Sequence, residues 1–249
     1  MKKLATALVS AAAIMTMSTT AFAAENPAEV FDRVMEKNNT IQSAEIQSGV
    51  HSVILAKDVI PDGQMKVDMA MHAEMDMQDT TDLKYLAQVA SSILGQDSYS
   101  QVFYTDGYYY VDANGVKLKY PMPLEQIISS VQTGVNTSNM ESSYMKGISL
   151  NEVNGKRVLA YEANPKKLNK NVKEALGTVM NTLGTDVNLD MNIQEMKGAY
   201  VLDDNDYIIY MTNYIVYNME VLDQPMTCIT LMETEVQNPG EPVVVTLPS

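Results

Sequence analysis

Met65-Lys66-Val67-Asp68-Met69-Ala70-Met71-His72-Ala73-Glu74-Met75-Asp76-Met77 is the stretch on which the fold turns. Its odd positions read Met65, Val67, Met69, Met71, Ala73, Met75 and Met77, and its even positions carry Lys66, Asp68, Ala70, His72, Glu74 and Asp76. Successive side chains of a strand point to opposite faces, so this alternation specifies one long, half-buried strand. Burying one methionine side chain is worth about 1.5–3 kcal/mol. The five on this face sum to roughly 8–15 kcal/mol, as much as the net stability of a typical domain. Such a face must be covered by helices, a ligand or a partner.

The same pattern returns outward from it. Val187, Leu189, Met191 and Ile193 alternate with Asn188, Asp190, Asn192 and Gln194. Over 207–221 both faces turn bulky, with Ile209, Met211, Ile215, Tyr217, Met219 and Val221 on one and Ile208, Tyr210, Tyr214 and Val216 on the other. A first strand over Ser43–Lys57 and last strands near 226–237 and 242–247 complete the series. Pro61-Asp62-Gly63, Asp106-Gly107, Asn114-Gly115 and Asn154-Gly155 are hairpin turn residues, and Asp203–Asp206 and Asp223-Gln224 supply further turns. Long strands joined by tight turns give one strongly twisted antiparallel sheet, which tends to curl.

Four helical patterns interrupt the strands. Asn26 suits an N-cap, Pro27 the first helical position and Glu29 a capping box, with Val30, Phe31, Val34 and Met35 on one face. Leu83, Leu86, Ala90, Ile93 and Leu94 recur at helical spacing before Gly95, and Leu124, Ile127, Ile128 and Val131 follow Pro123. The longest pattern runs from Leu168 through Val172, Ala175, Leu176, Val179, Met180 and Leu183 to Gly184. The expected class is α+β: a single curled antiparallel sheet, a half-open barrel, with amphipathic helices packed in its concave face. No linker or internal repeat divides the chain.

The first residues read as an export leader. Lys2 and Lys3 precede an uncharged apolar run from Leu4 to Met17, and Ala21-Phe22-Ala23 offers the small residues of a cleavage site. The run is short of the roughly 20 residues a membrane span needs. Residues 1–23 are therefore expected to be a signal peptide and 24–249 one domain, released to the extracellular or cell-wall space without stable membrane insertion. Cys228 is the single cysteine, so an internal disulfide is excluded, as is a lipid anchor on a cysteine at the cleavage point. Loss of the leader leaves 15 basic against 31 acidic residues, a net charge of −16. Such a surface repels nucleic acid and anionic headgroups.

Catalytic signatures are missing from the sequence. It carries no Gly-x-Ser-x-Gly elbow, no phosphate-cradling glycine loop and no zinc-ligand spacing. His51 and His72 fall on the polar face of their strands, and Cys228 suits a buried, inert thiol. Methionine, with 16 copies after the leader, is the informative excess; it fills irregular space and re-packs around varied ligands. The expected lining of an apolar site is Met65, Val67, Met69, Met71, Met75, Met77, Leu189, Met191, Met211, Ile215 and Met219, with no cofactor. Segments 82–94 and 123–132 are the candidate lids. Thioethers also suit copper(I), but a regular strand turns His72 away from Met71 and Met75.

The N-terminal helix, the long hairpin Ala44–Lys57 into Met65–Met77, the Tyr104-Thr105-Asp106-Gly107-Tyr108-Tyr109-Tyr110 hairpin, the Leu202-Asp203-Asp204 turn and the closing Val243–Pro248 together resemble the LolA/LolB and LppX/LprG superfamily. More closely, it resembles uncharacterised LolA-like exported proteins of Gram-positive bacteria. The resemblance implies a half-open barrel with helices in its mouth around an apolar cavity for acyl chains. It implies a non-enzymatic carrier whose partner is a lipid, a lipidated molecule or another apolar compound, and possible contact with an envelope protein. An interaction or sensor module with a filled core is the alternative.

Overall fold

The methionine alternation forms the strand it predicts. β2 (Gln64–Asp76) is hydrogen-bonded antiparallel on both flanks, to β1 (Ser43–Leu55) and β3 (Lys84–Ile93). The computed structural model describes residues 25–56, 60, 62–79, 83–123, 140–170, 191–221, 224–246 and 248. The chain continues through β4 (Gln96–Thr105), β5 (Tyr108–Ala113), β6 (Val116–Pro121), β7 (Met145–Val153), β8 (Lys156–Ala163), β9 (Met191–Leu202), β10 (Ile208–Val221) and β11 (Gln224–Gln237). These make one 11-stranded antiparallel sheet in the order β6-β5-β4-β3-β2-β1-β11-β10-β9-β8-β7. It stays open, with β6 and β7 as its edges, and curls around its helices as expected.

Leu94-Gly95, Asp106-Gly107, Asn114-Gly115 and Asn154-Gly155 all form two-residue hairpin loops with both residues at positive φ. That turn matches the twist of the flanking strands, which is why Asn-Gly and Asp-Gly pairs mark it.

Two expectations are corrected. Residues 84–93 are strand β3, not a helix, so the helical lid expected at 82–94 is replaced there by sheet. Adjacent Leu86 and Ala87 are both buried, one on each side of the sheet, which erases the alternation that would have marked a strand. Pairing with β2 and β4 then overrides the helical propensity of leucine and alanine. Gly95, read as a helix stop, is a hairpin residue. Residues 242–246 form no strand; the chain there is irregular, and the Thr246 backbone N–H donates to the Glu74 carboxylate at 2.7 Å. The leader, the pattern at 124–131, the span from Val172 to Gly184, and Val187 and Leu189 lie outside the described residues.

α1 (Pro27–Asn38) is the predicted N-terminal helix. Asn26 caps it, accepting from the Ala28 N–H at 3.1 Å and donating to Glu29 at 3.1 Å. Val30, Phe31 and Val34 are fully buried against Leu150, Leu159, Tyr161, Tyr200, Leu202 and Ile208. A helical segment at 165–170 buries Leu168 against Ala163 and Ile193.

Polar contacts fix the far end of α1. Arg33 Nε donates to Asp206 at 2.9 Å, Arg157 donates to the same carboxylate, and Asn38 donates to the Asp206 carbonyl at 3.0 Å. Burial pushes the Asp206 carboxyl up, but the bonds from Arg33 and Arg157 outweigh it and hold it below its ordinary value of 3.8. A carboxyl depressed in the fold contributes stability above its unfolded pKa and loses it as pH falls through the folded value. Asp206→Asn is therefore expected to cost about 1.5–3 kcal/mol at neutral pH, the worth of hydrogen bonds to a charged group. The gap to wild type should close in acid below pH 3.8, measured by urea unfolding at several pH values.

Candidate functional site

Register assigns each predicted residue to a side of the sheet. Met71 pairs with Ser48, Ser48 with Thr234, Thr234 with Met211 and Met211 with Tyr200. The neighbouring rows run Met69, Val50, Met232, Asn213, Gly198, Tyr161 and Val67, Ser52, Thr230, Ile215, Met196. Met65, Val67, Met69, Met71 and Met75 of β2, Met211, Ile215 and Met219 of β10, and Met191 of β9 thus share one side. α1 packs on that same side, through Tyr161, Tyr200 and Met211. Met77, just past the end of β2, packs against the cluster of Leu83 and Tyr104.

Burial along this side is uneven. Met69 is 39% and Met71 36% exposed, whereas Met65, Val67, Met75, Met77, Met191, Met211, Ile215 and Met219 are partly buried. A hydroxyl ladder, missed in the sequence, crosses the same side: Ser48 meets Thr234 and Ser52 meets Thr230, each at 2.9 Å. Cys228, buried and free, lies 3.6 Å through its Sγ from the Met219 sulfur. Burial also raises its thiol pKa, which keeps it protonated and unreactive.

Beneath α1 the Tyr161 hydroxyl donates to Asn213 and accepts from the Tyr200 hydroxyl at 3.3 Å. Burial raises both phenols, Tyr200 to about 12 and Tyr161 well above its ordinary value, so they are neutral at physiological pH.

The opposite side carries His51 and His72, as the alternation predicts. His51 Nδ1 lies 2.7 Å from Asp68, and His72 Nε2 lies 3.1 Å from Glu74. Among the described residues, no three or more His, Cys, Asp or Glu side chains are placed to hold a metal. The side also holds a groove of about 790 Å³ that the sequence analysis did not anticipate. Its floor is the register row Gly49, Ala70, Ala90, and Tyr99, Tyr210, Glu233, Glu235, Gln47, His72 and Gln88 stand around it. Met69 and Met71 border it although their side chains belong to the other side.

With this geometry in view, the chain can be set beside known proteins. A family model described as a family of unknown function, DUF6612, matches residues 26–245. The chain belongs to that family. No curated protein matches it. Among solved structures, this DUF6612 protein is similar to LprF from Mycobacterium bovis, at 10% identity and TM-score 0.39 over 90% of this chain and 97% of that one. It is similar to the Mycobacterium tuberculosis lipoprotein LppX, at 9% identity and TM-score 0.37 over 89% and 100%. A beta-barrel-like DUF1849 protein from Brucella abortus follows at 11% identity and TM-score 0.27 over 80% and 100%. Among the described residues, no helix is long and apolar enough to cross a membrane.

Proposed function

We propose that this DUF6612 protein is an exported, non-enzymatic binding protein that holds an acyl chain, a lipidated molecule or another apolar ligand on the methionine side of its sheet. The observation that carries the reading is the pair Met69 and Met71, each more than one-third exposed and each in a register row that continues onto the helix-covered core. Two thioethers left half-wet on an apolar row are a poor arrangement for a core and a useful one for a ligand, because methionine re-packs at low cost. The superfamily resemblance implies the same use, an apolar cavity for acyl chains. Binding here is reversible burial, and no covalent step is involved.

Extraction of the purified mature protein with organic solvent, followed by mass spectrometry, is expected to release a co-purified lipid or apolar compound. A clean extract would favour a filled-core interaction module. Met69→Lys with Met71→Lys is expected to fold, since exposed lysine stems lie along apolar surface with the charge in water. It should weaken ligand binding by at least about tenfold, because replacing the thioethers that the ligand covers removes at least ~1.4 kcal/mol of apolar burial. Wild-type ligand content in a folded double variant would overturn the assignment of this side.

A further inference from the structure

The groove on the histidine side is unused by that reading. Its floor lacks side-chain bulk across three neighbouring strands: Gly49 pairs with Ala70 and Ala70 with Ala90. Tyr99 of β4 closes the row at one end, and Glu233 of β11 at the other. Four strand spacings separate them, about 19 Å. The length and the roughly 790 Å³ volume match a small-molecule site rather than a single ion.

Its charge selects the occupant. Glu233 and Glu235 line it and no lysine or arginine does. The Tyr210 hydroxyl donates to Glu233 at 2.6 Å and holds this buried carboxylate at the wall. His51 and His72, the cationic candidates along the rim, each already lie against a carboxylate, Asp68 and Glu74. Tyr99, 44% exposed, turns its hydroxyl to Gln101 at 2.9 Å, which also accepts from Gln88 at 2.7 Å, and so offers its ring to the groove. A neutral or anionic guest would desolvate exposed Glu235 and bring no charge to buried Glu233, whereas a cation pairs with both.

We propose that this groove binds an organic cation with an apolar body, such as an alkylammonium compound, at a site separate from the methionine side. The ammonium sits beside Glu233, Glu235 and Tyr210, and the apolar body lies on Gly49, Ala70 and Ala90 towards the Tyr99 ring.

A matched probe pair with chains too short to serve as acyl-chain ligands tests it on the mature protein: hexyltrimethylammonium and hexanoate, titrated by calorimetry. The cation is expected to bind one to one and at least about tenfold more tightly than the anion, with affinity falling as salt rises. A Cβ at Gly49 would meet only His51 Nε2 at 4.0 Å, so Gly49→Leu fills the groove without a clash. It should weaken the cation at least about tenfold, the order expected when the apolar floor that its body covers is blocked. Met191→Gln with Met219→Gln, neutral changes on the methionine side away from the groove, should leave cation affinity unchanged, which separates this site from the proposed lipid side. Should Gly49→Leu not fold, Ala90→Leu at an exposed position carries the same test. Equal affinity for cation and anion would overturn the proposal, as would a folded groove-filling variant that binds the cation like wild type.

Discussion

Gly198→Ala is expected to be among the most destabilising single substitutions in this protein, costing about 3–5 kcal/mol from overpacking and broken buried hydrogen bonds together. Gly198 lies between Asn213 of β10 and Tyr161 of β8 in one register row. With no side chain at 198, the Tyr161 hydroxyl reaches across β9 to the Asn213 side chain. A Cβ there would stand 2.5 Å from the Thr212 carbonyl, 2.6 Å from Asn213 Oδ1 and 2.8 Å from the Tyr161 hydroxyl. The last two can move, but only by leaving polar atoms of buried Asn213 and Tyr161 without partners, and the carbonyl belongs to a strand paired on both sides. At roughly 2–4 °C per kcal/mol for a protein of this size, the midpoint should fall by about 6–20 °C. Asn213→Ala in the same chain should recover only part of the loss, because the Thr212 carbonyl remains. A Gly198→Ala midpoint within a degree of wild type would show that β9 can yield, against the packing described above.

How far the sequence reveals this molecule depends on whether a feature lives within one strand or between strands. The methionine row of β2 is written in thirteen consecutive residues, so its face could be assigned before any partner was known. α1 was legible for the same reason: Asn26, Pro27, Glu29 and the Val30-Phe31-Val34 spacing are local signals. β3 was not, because adjacent Leu86 and Ala87 are buried on opposite sides and alanine fits either period. The hydroxyl ladder joins residues 186 apart, and the Tyr161–Asn213 bond joins residues 52 apart. The groove floor is equally invisible in sequence: Gly49, Ala70 and Ala90 become neighbours only through pairing register.

Register also explains why the two sides of one sheet differ in chemistry. Moving along any strand by one residue exchanges sides, so Met69 and Met71 flank Ala70 while serving the opposite surface. The alternation that buries thioethers beneath the helices forces the intervening positions outward. There, small and acidic residues on β1, β2, β3 and β11 line up into a depression. The proposed apolar site on one side and the electronegative groove on the other are therefore products of one pattern.

Phe31→Ala tests whether α1 is held as tightly as this arrangement requires. Phe31 is 0% exposed, meets the Tyr161 ring edge-on at 5.7 Å between centroids and the tilted Tyr200 ring at 6.1 Å. Truncating a buried phenylalanine costs about 3–5 kcal/mol, of which aromatic pairs contribute about 0.5–1.5 kcal/mol each beyond the area they bury. The helix has 12 residues and would be marginal by itself in water. Its order thus depends on Val30, Phe31 and Val34 below and the Asp206 bonds at its end. Hydrogen exchange of the α1 amides should accelerate towards that of an unfolded helix in Phe31→Ala while β1, β2 and β3 keep their protection. Phe31→Leu should retain most of the stability, since it keeps much of the volume and gives up chiefly the ring pairing. Uniform loss of protection across the sheet in Phe31→Ala would instead mean that α1 and the distant strands unfold as one unit, and that the methionine side cannot open without the whole fold opening.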